Sequence, residues 1–321
     1  MSLAETDANP PSVNAAICTL FEGRHHYGLA AFLNSLVRCG FRGTVWAGYR
    51  GALPPWIGQL QSLPDGEDHY RASEAVDVVF LPLTTEIHLT NYKPEFMLDL
   101  LAGPASRCEY LWYFDPDIWL RSPWSFFVGW QRHGIALCQE ITNNILPHDS
   151  PLRHQWMEIA GTIGLSDPRP LGYYYNGGLA GVPAQHADFL LLWKQIIELS
   201  ADYGCNLYQM MPGTREMPFH ASDQDALNIA AMYTQAPLTT LGPEGMSFIP
   251  GGARMFHTVG VKPWNGSLLK RAFLGLPPSS AMKAFFQYCD GPIRAYSQWQ
   301  LRRKRIACAL AALIGRFYSR S

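Results

Sequence analysis

Several features that mark other classes of protein are missing from this sequence of 321 residues. It has no apolar run long enough to span a membrane, no internal repeat and no low-complexity tract. Its seven cysteines are scattered without a C-x-x-C pair, which is typical of reduced cysteines in a cytosolic protein. A formal net charge of −1 argues against a general nucleic-acid binder.

The two ends of the chain differ in charge. Residues 1–14 are polar and lack the apolar core of a signal peptide, so we expect a flexible segment and a cytoplasmic protein. From residue 297 onward every charged residue is a cation: Arg302, Arg303, Lys304, Arg305, Arg316 and Arg320. Apolar residues recur at helical spacing over 297–318, which predicts a basic helix that lies on an anionic membrane surface. The alternative is a helix packed on the domain with its basic side in solvent.

The most informative segment is 109–120, EYLWYFDPDIWL. Its five apolar or aromatic residues, 110–114, predict a buried strand. Asp115 and Asp117 follow at the carboxyl end, where open α/β sheets bind ligands. Side chains alternate in extended backbone, so both carboxylates are expected on one side, where they can hold a hard divalent cation. A solvated turn is the alternative interpretation.

Strand and helix patterns alternate along the chain. Apolar runs predict strands at 15–20, 44–47, 76–81 and 135–138, an extended segment at 173–182, and helices at 28–38, 93–101, 152–163, 183–200 and 223–232. This order is typical of an α/β fold with a mostly parallel central sheet and helices on both faces. We expect one continuous domain over 15–265 and a helical C-terminal extension over 266–321.

Three further motifs contain residues suited to a ligand site. Gly177-Gly178 inside an apolar strand suggests close approach by a ligand or another chain, or a β-bulge. The run 222–228, SDQDALN, fits the start of a helix, although capping does not explain Gln224 between two acids. His257 follows an apolar stretch and can complete a site begun by two carboxylates, and Lys262 offers a point charge for a phosphate.

In this order, the four motifs resemble those of the family 8 glycosyltransferases, which include glycogenin and bacterial lipooligosaccharide galactosyltransferases. The resemblance covers about residues 17–264. The matched positions are Asp115 and Asp117, Asn176 and Gly178, the run 223–228, and His257, Gly260, Lys262, Pro263 and Trp264. The chain departs from the family pattern in having one residue, not two, between Gly260 and Lys262, and in the central Pro116.

The resemblance implies a single GT-A domain and a retaining transfer of a hexose from a nucleoside diphosphate sugar. UDP is the family's usual nucleotide, and a cell-surface or lipid-linked glycan is the implied acceptor, as in lipopolysaccharide biosynthesis. Asp115, Asp117 and His257 would bind Mn²⁺ or Mg²⁺. The nucleotide sugar would contact Thr19, Tyr27, Lys93, Asn176, Gly178, Gly260 and Lys262. Asp223 and Gln224 would be the catalytic residues at the sugar.

Three other classes share part of this pattern. A haloacid-dehalogenase-type phosphohydrolase also has Asp-x-Asp after a strand, but nearer the N-terminus and without Trp119 two residues later. A non-catalytic nucleotide-sugar binder on the same fold would not need the intact acids. A nucleotidyltransferase would carry a Gly-rich phosphate loop after the first strand, and residues 21–26 contain one glycine.

Overall fold

The computed structural model describes residues 14–64, 66, 68–141, 145–210 and 217–318. The expected flexible segment lies outside these residues, apart from Asn14, and so does Arg320. The strands are β1 (Ala15–Glu22), β2 (Gly43–Arg50), β3 (Gln61–Ser62), β4 (His69–Ser73), β5 (Val76–Pro82), β6 (Tyr110–Phe114), β7 (Ile118–Leu120), β8 (Ile135–Cys138), β9 (Leu179–Pro183), β10 (Leu238–Leu241) and β11 (Met255–His257). The α-helices are α1 (His26–Arg38), α2 (Lys93–Ala102), α3 (Trp124–Gln131), α4 (Pro151–Gly161), α5 (Asp188–Ser200), α6 (Ser222–Tyr233), α7 (Leu268–Phe273), α8 (Ser280–Tyr288) and α9 (Gln298–Phe317).

Within the described residues, nine strands form one sheet in the order β10-β8-β9-β6-β1-β2-β5-β4-β3. Its centre, β6-β1-β2-β5, is parallel, as expected. Towards the edges β9 runs antiparallel between β6 and β8, and β4 and β3 are antiparallel as well. The α/β class is confirmed, and the sheet is mixed because its flanks reverse direction.

Side chains of β6 alternate between two cores, one on each face of the sheet. Trp112 and Phe114 belong to the core that contains α1 and α3. Leu111 and Tyr113 belong to the core that contains α2, α5 and α6. Because both faces of this strand are buried, the sequence run is apolar throughout. The expected helices on both faces are confirmed.

Three expected elements differ in detail. The extended segment over 173–182 forms a strand only from Leu179, with single bridges at Tyr173 and Tyr175 before it. The helix expected from residue 183 begins as an α-helix at Asp188, because Pro183 ends β9. The two acids lie in a turn instead of continuing the strand, since the Ile118 amide donates to the Asp115 carbonyl at 3.0 Å.

The C-terminal helices pack on the core that contains α1. The buried side chain of Asn34 on α1 joins them: its Nδ2 donates to the carbonyls of Tyr288 (2.9 Å) and Ile293 (2.8 Å), and its Oδ1 accepts from the Ile293 amide (3.0 Å). The extension is therefore tied to α1 by buried hydrogen bonds. The boundary at 265–266 stays a prediction.

The expected basic helix is present as α9. Most of its large apolar residues face solvent and not the core. Leu301, Cys308 and Ala311 form the buried face. The apolar residues that suggested an amphipathic helix point outward and are 47–85% exposed: Trp299, Ile306, Leu310, Leu313 and Phe317. Within the described part of the chain, no helix combines the length and apolarity needed to cross a bilayer.

Candidate functional site

The turn after β6 holds the two acids in fixed positions. The Asp115 amide donates to the Gly178 carbonyl at 2.8 Å, and its Oδ1 accepts from the Tyr113 hydroxyl at 2.8 Å. Asp117 is buried, and its Oδ2 accepts from Lys262 Nζ at 2.5 Å and from the Thr258 hydroxyl at 3.2 Å. Burial favours the neutral form of Asp117, but the charges of Lys262 and His257 hold its pKa well below the ordinary value.

His257 reaches this turn because β11 pairs antiparallel with β7, which places His257 opposite Ile118. Ligand atoms of Asp115, Asp117 and His257 all lie within 4.8 Å of one another. The Nδ1 atom of His257 is buried without a hydrogen-bond partner in the described residues. Two carboxylates and one imidazole form a donor set that suits Mn²⁺ or Mg²⁺.

Gly178 lines the same spot, and its lack of a side chain keeps the space open. A Cβ there would lie 2.7 Å from His257 Cε1 and 2.9 Å from Asp115 Oδ2. Such distances are too short for a carbon atom, so any larger residue would displace the side chains of His257 and Asp115. The residues present therefore fit a divalent cation, and the glycine at 178 is required by the packing.

Lys93 is buried at the start of α2. Its Nζ donates to the Gly177 carbonyl and Asp223 Oδ2, both at 2.9 Å, and lies 3.3 Å from Asp115 Oδ1. Burial alone would lower the pKa of Lys93, but the Asp115 and Asp223 carboxylates raise it above the ordinary value. Lys93 therefore remains charged and joins the acid turn to α6.

Gln224 and Asp225 lie in the first turn of α6. Hydrogen bonds to the segment before β9 hold both side chains in position. Gln224 Oε1 accepts from the Gly177 amide at 2.8 Å, and its Nε2 donates to the Tyr174 hydroxyl at 3.2 Å. That hydroxyl in turn donates to Asp225 Oδ1 at 2.6 Å. Burial raises the pKa of Asp225 to about 6. The Gln224 amide is consequently fixed in orientation from both of its ends.

These groups line one cavity of about 490 Å³ beside the carboxyl ends of β1 and β6. Ten of the twelve site residues expected from sequence line it: Lys93, Asp115, Asp117, Asn176, Gly178, Asp223, Gln224, His257, Gly260 and Lys262. The shortened spacing after Gly260 still brings Lys262 into the site.

Thr19 and Tyr27 do not line this cavity. Thr19 is in the middle of β1, fully buried between neighbouring strands. Tyr27 is the second residue of α1, and its ring stacks on that of Tyr296 at 4.6 Å between centroids. Both residues are near the carboxyl end of β1 in the sequence, but neither side chain reaches the cavity.

Glu140 and Tyr174 also line the cavity, although neither was expected from the sequence. Glu140 is buried and accepts a hydrogen bond from Asn176 Nδ2. It follows β8 at its carboxyl end, so the rule that identified Asp115 was available for Glu140 too. Tyr174 lies two residues before Asn176, within a run of tyrosines. The sequence does not show which of these side chains points into the cavity.

No family model matches this chain, and no curated protein matches it in sequence. Solved structures do share its fold. One is described as the bifunctional glycosyltransferase WbbM in its apo form, with a TM-score of 0.54 and 12% identity over 93% of this chain and 53% of that chain. Another is the glycosyltransferase GlyE of Streptococcus pneumoniae TIGR4, with a TM-score of 0.51 and 12% identity over 90% of this chain and 62% of that chain.

This chain thus spans between about half and three fifths of the length of those two chains. At such low identity the likeness shows the fold alone. It confirms an α/β architecture of the kind found in glycosyltransferases, consistent with a single GT-A-like domain. Family 8 membership remains a resemblance of motifs.

Proposed function

We propose that this protein is a metal-dependent, retaining glycosyltransferase that moves a hexose from a nucleoside diphosphate sugar to a glycan hydroxyl. One observation carries the proposal: Asp115, Asp117 and His257 converge within 4.8 Å in a cavity of a glycosyltransferase-like fold. UDP-glucose and UDP-galactose are the donors that the family resemblance favours.

The roles follow from the contacts of each side chain. Asp115, Asp117 and His257 would hold Mn²⁺ or Mg²⁺, which would supply Lewis-acid stabilisation of the diphosphate. Lys262 lines the cavity beside Asp117 and would neutralise the same diphosphate. Lys93 contacts Asp115 and Asp223, so we assign it to positioning those acids.

At the sugar, Asn176, Asp223 and Gln224 would contact the hexose and orient its anomeric carbon. Gln224 is held by Gly177 and Tyr174, so its amide can stabilise developing positive charge without moving. An amide is a poor nucleophile. We therefore propose that a leaving phosphate oxygen takes the proton of the acceptor hydroxyl.

We propose a lipid-linked or cell-surface glycan as acceptor and the cytoplasmic face of an anionic membrane as the place of action. The outward apolar residues of α9 support this, since Arg302 and Arg303 flank them and no acid lies on that helix. A nucleic-acid partner is not proposed.

The test is donor hydrolysis, and transfer to glycan acceptors, with Mn²⁺ or Mg²⁺. Asp117→Asn should keep the far-UV CD spectrum and lose at least 100-fold in turnover, whereas Asp188→Asn, on the exposed start of α5, serves as control. NMR of the early product should show the donor's anomeric configuration retained. Full activity of Asp117→Asn, or of wild type in excess EDTA, would exclude the proposed reaction, and donor binding without turnover would indicate a non-catalytic binder.

A further inference from the structure

A short segment just before β9 connects several groups of the candidate site through its backbone. The Gly177 amide donates to Gln224 Oε1 at 2.8 Å, and the Gly177 carbonyl accepts from Lys93 Nζ at 2.9 Å. The Gly178 carbonyl accepts from the Asp115 amide at 2.8 Å. A displacement of this segment would therefore disturb one acid of the candidate metal site, the buried lysine and the fixed glutamine together.

The side chain of Asn176 holds this segment in place. Its Oδ1 accepts from the Gly178 amide at 2.9 Å, and its Nδ2 donates to Glu140 Oε2. A side-chain amide carries its acceptor on one side and its donors on the other, so only one orientation satisfies both contacts. In the reversed orientation, the NH₂ group would face the Gly178 amide and the oxygen would face the carboxylate. Glu140 therefore selects the orientation in which Asn176 binds Gly178.

Glu140 is itself held in place, and among the described residues it belongs to no ion pair. It is 3% exposed, its Oε1 accepts from the Ile141 amide at 2.8 Å, and its own amide donates to the Tyr174 carbonyl at 2.9 Å. Burial of a carboxylate without a cation costs free energy. What the carboxylate provides is an acceptor for two N–H donors at once. A glutamine has one acceptor oxygen and would set its NH₂ group against the second donor.

The position of Gly178 in turn determines the geometry of the candidate metal ligands. Its carbonyl holds the Asp115 amide, and its Cα borders Asp115 and His257 so closely that no side chain fits between them. A shift of Gly178 would therefore move Asp115 relative to His257. Where a residue orients metal ligands through hydrogen bonds, its loss typically weakens metal binding by about 10- to 100-fold.

We propose that Glu140 is a positioning residue of the metal site, which acts through Asn176 and Gly178 to place Asp115. Glu140 is not one of the three residues whose ligand atoms lie within 4.8 Å of one another, so its effect on the metal is transmitted by these neighbours. The inference rests on the proposed function in one point, the role of Asp115 as a metal ligand.

The test exchanges the two partners. Glu140→Gln leaves one of its two N–H donors without an acceptor, and Asn176→Asp sets a second carboxylate against Glu140. The double variant, Glu140→Gln with Asn176→Asp, restores the pairing. The introduced NH₂ group then donates to the introduced carboxylate, whose other oxygen accepts from the Gly178 amide. Its formal charge equals that of wild type.

The measurement is a titration with Mn²⁺, without and with UDP, followed by the EPR signal of the free ion. We expect each single variant to bind Mn²⁺ about 10-fold or more weakly than wild type. The double variant should recover to within about threefold of wild type. Glu158→Gln and Gln155→Glu, at exposed positions of α4, make the same charge changes and are the matched controls. Far-UV CD and thermal melting compare the folding of all variants.

Three results would overturn the proposal. These are wild-type Mn²⁺ affinity in Glu140→Gln, a double variant that binds no better than the single ones, and no Mn²⁺ binding by wild type in either condition. Weaker donor binding by Glu140→Gln at unchanged Mn²⁺ affinity would also overturn it, since Glu140 would then contact the sugar directly.

Hydrolysis of UDP-glucose and UDP-galactose is measured in parallel, so that the two proposals fail separately. Rescue of Mn²⁺ binding in the double variant, without turnover by wild type, rejects the proposed function and retains the positioning role of Glu140. Turnover by wild type, with unaltered Mn²⁺ affinity in both single variants, does the reverse.

Discussion

Lys262 has its ammonium group between the acid turn and the cavity, 2.5 Å from Asp117 Oδ2 and 2.8 Å from the Thr258 carbonyl. Lys262→Ala removes a charge-assisted contact to the donor diphosphate. We expect a loss of about 1.5–3 kcal/mol in donor binding, which is roughly a 10- to 150-fold rise in Kd. Equilibrium titration with UDP and Mn²⁺ measures it.

Lys270→Ala, at an exposed lysine of α7, is the matched control for this change and should leave the Kd unaltered. An unchanged Kd in Lys262→Ala itself would mean that Lys262 serves only to neutralise Asp117. The melting temperature also distinguishes the two roles. If Lys262 is purely structural, its removal should lower the melting temperature and leave the nucleotide affinity intact.

At the level of single residues, motif order predicted more than local pattern did. The acids, His257 and Lys262 follow from motifs that resemble a family, and the structure brings them together. Thr19 and Tyr27 were chosen by nearness in sequence to the end of β1, and neither lines the cavity. A side chain's direction depends on strand register and ring packing, which one sequence does not specify.

The helix α9 presents an apolar stripe to solvent, and Arg302 and Arg303 flank it. We expect the full chain to co-sediment with anionic vesicles and not with neutral ones. Arg302→Gln with Arg303→Gln should weaken that binding by about 2 kcal/mol, roughly 30-fold, at about 1 kcal/mol for each cation near the surface. Added salt should weaken wild-type binding as well.

Substitutions on the outward face of α9 leave Leu301, Cys308 and Ala311 in the core, so the fold is preserved in this test. Lys283→Gln with Gln287→Ser, on the exposed side of α8, is the control pair. Equal sedimentation with neutral and anionic vesicles, or no effect of the arginine changes, would leave α9 as a packing element only.

Strands and helices were predicted well where the hydrophobic pattern of the sequence has a single interpretation. The run 110–114 is apolar throughout, and β6 has these bounds. The direction of β9 was not predictable, since a buried strand has the same composition whether it runs parallel or antiparallel. For α9 the helical period was clear, yet Leu301 and the small residues Cys308 and Ala311 pack inward, whereas five larger apolar residues face outward. Hydrophobicity alone would have assigned the opposite face to the core.

The stability of the whole molecule should depend on pH through Asp225. Its pKa is raised by burial from 3.8 to about 6, so the folded protein holds this proton more tightly than the unfolded chain. The free energy of unfolding should therefore fall as pH rises from about 4 to 6, by up to about 3 kcal/mol from this group. In Asp225→Asn the free energy of unfolding should no longer show this part of its dependence on pH. Urea unfolding at several pH values measures it.

The comparison uses the slope and not the absolute stability, because Asp225 accepts hydrogen bonds from the amides of His220 and Ala221 and from the Tyr174 hydroxyl. An asparagine there turns an NH₂ group towards one of these donors and lowers stability at every pH. Asp188→Asn is the control for a surface carboxylate. Identical slopes for wild type and Asp225→Asn would contradict the assignment.

The pairing of β11 with β7 also determines when the site can form during synthesis of the chain. Lys262 lies 145 residues after Asp117, so at about 5–20 residues per second the acids leave the ribosome roughly 7–30 s before Lys262 does. The parallel centre of the sheet, complete at Phe114, is already made by then. Lys93 can neutralise Asp115 early, whereas Lys262, the lysine that pairs with Asp117 in the described part of the chain, follows only after β11. The nascent protein thus builds its scaffold first and completes the candidate cation site only after the segment from β11 to Lys262 has been synthesised.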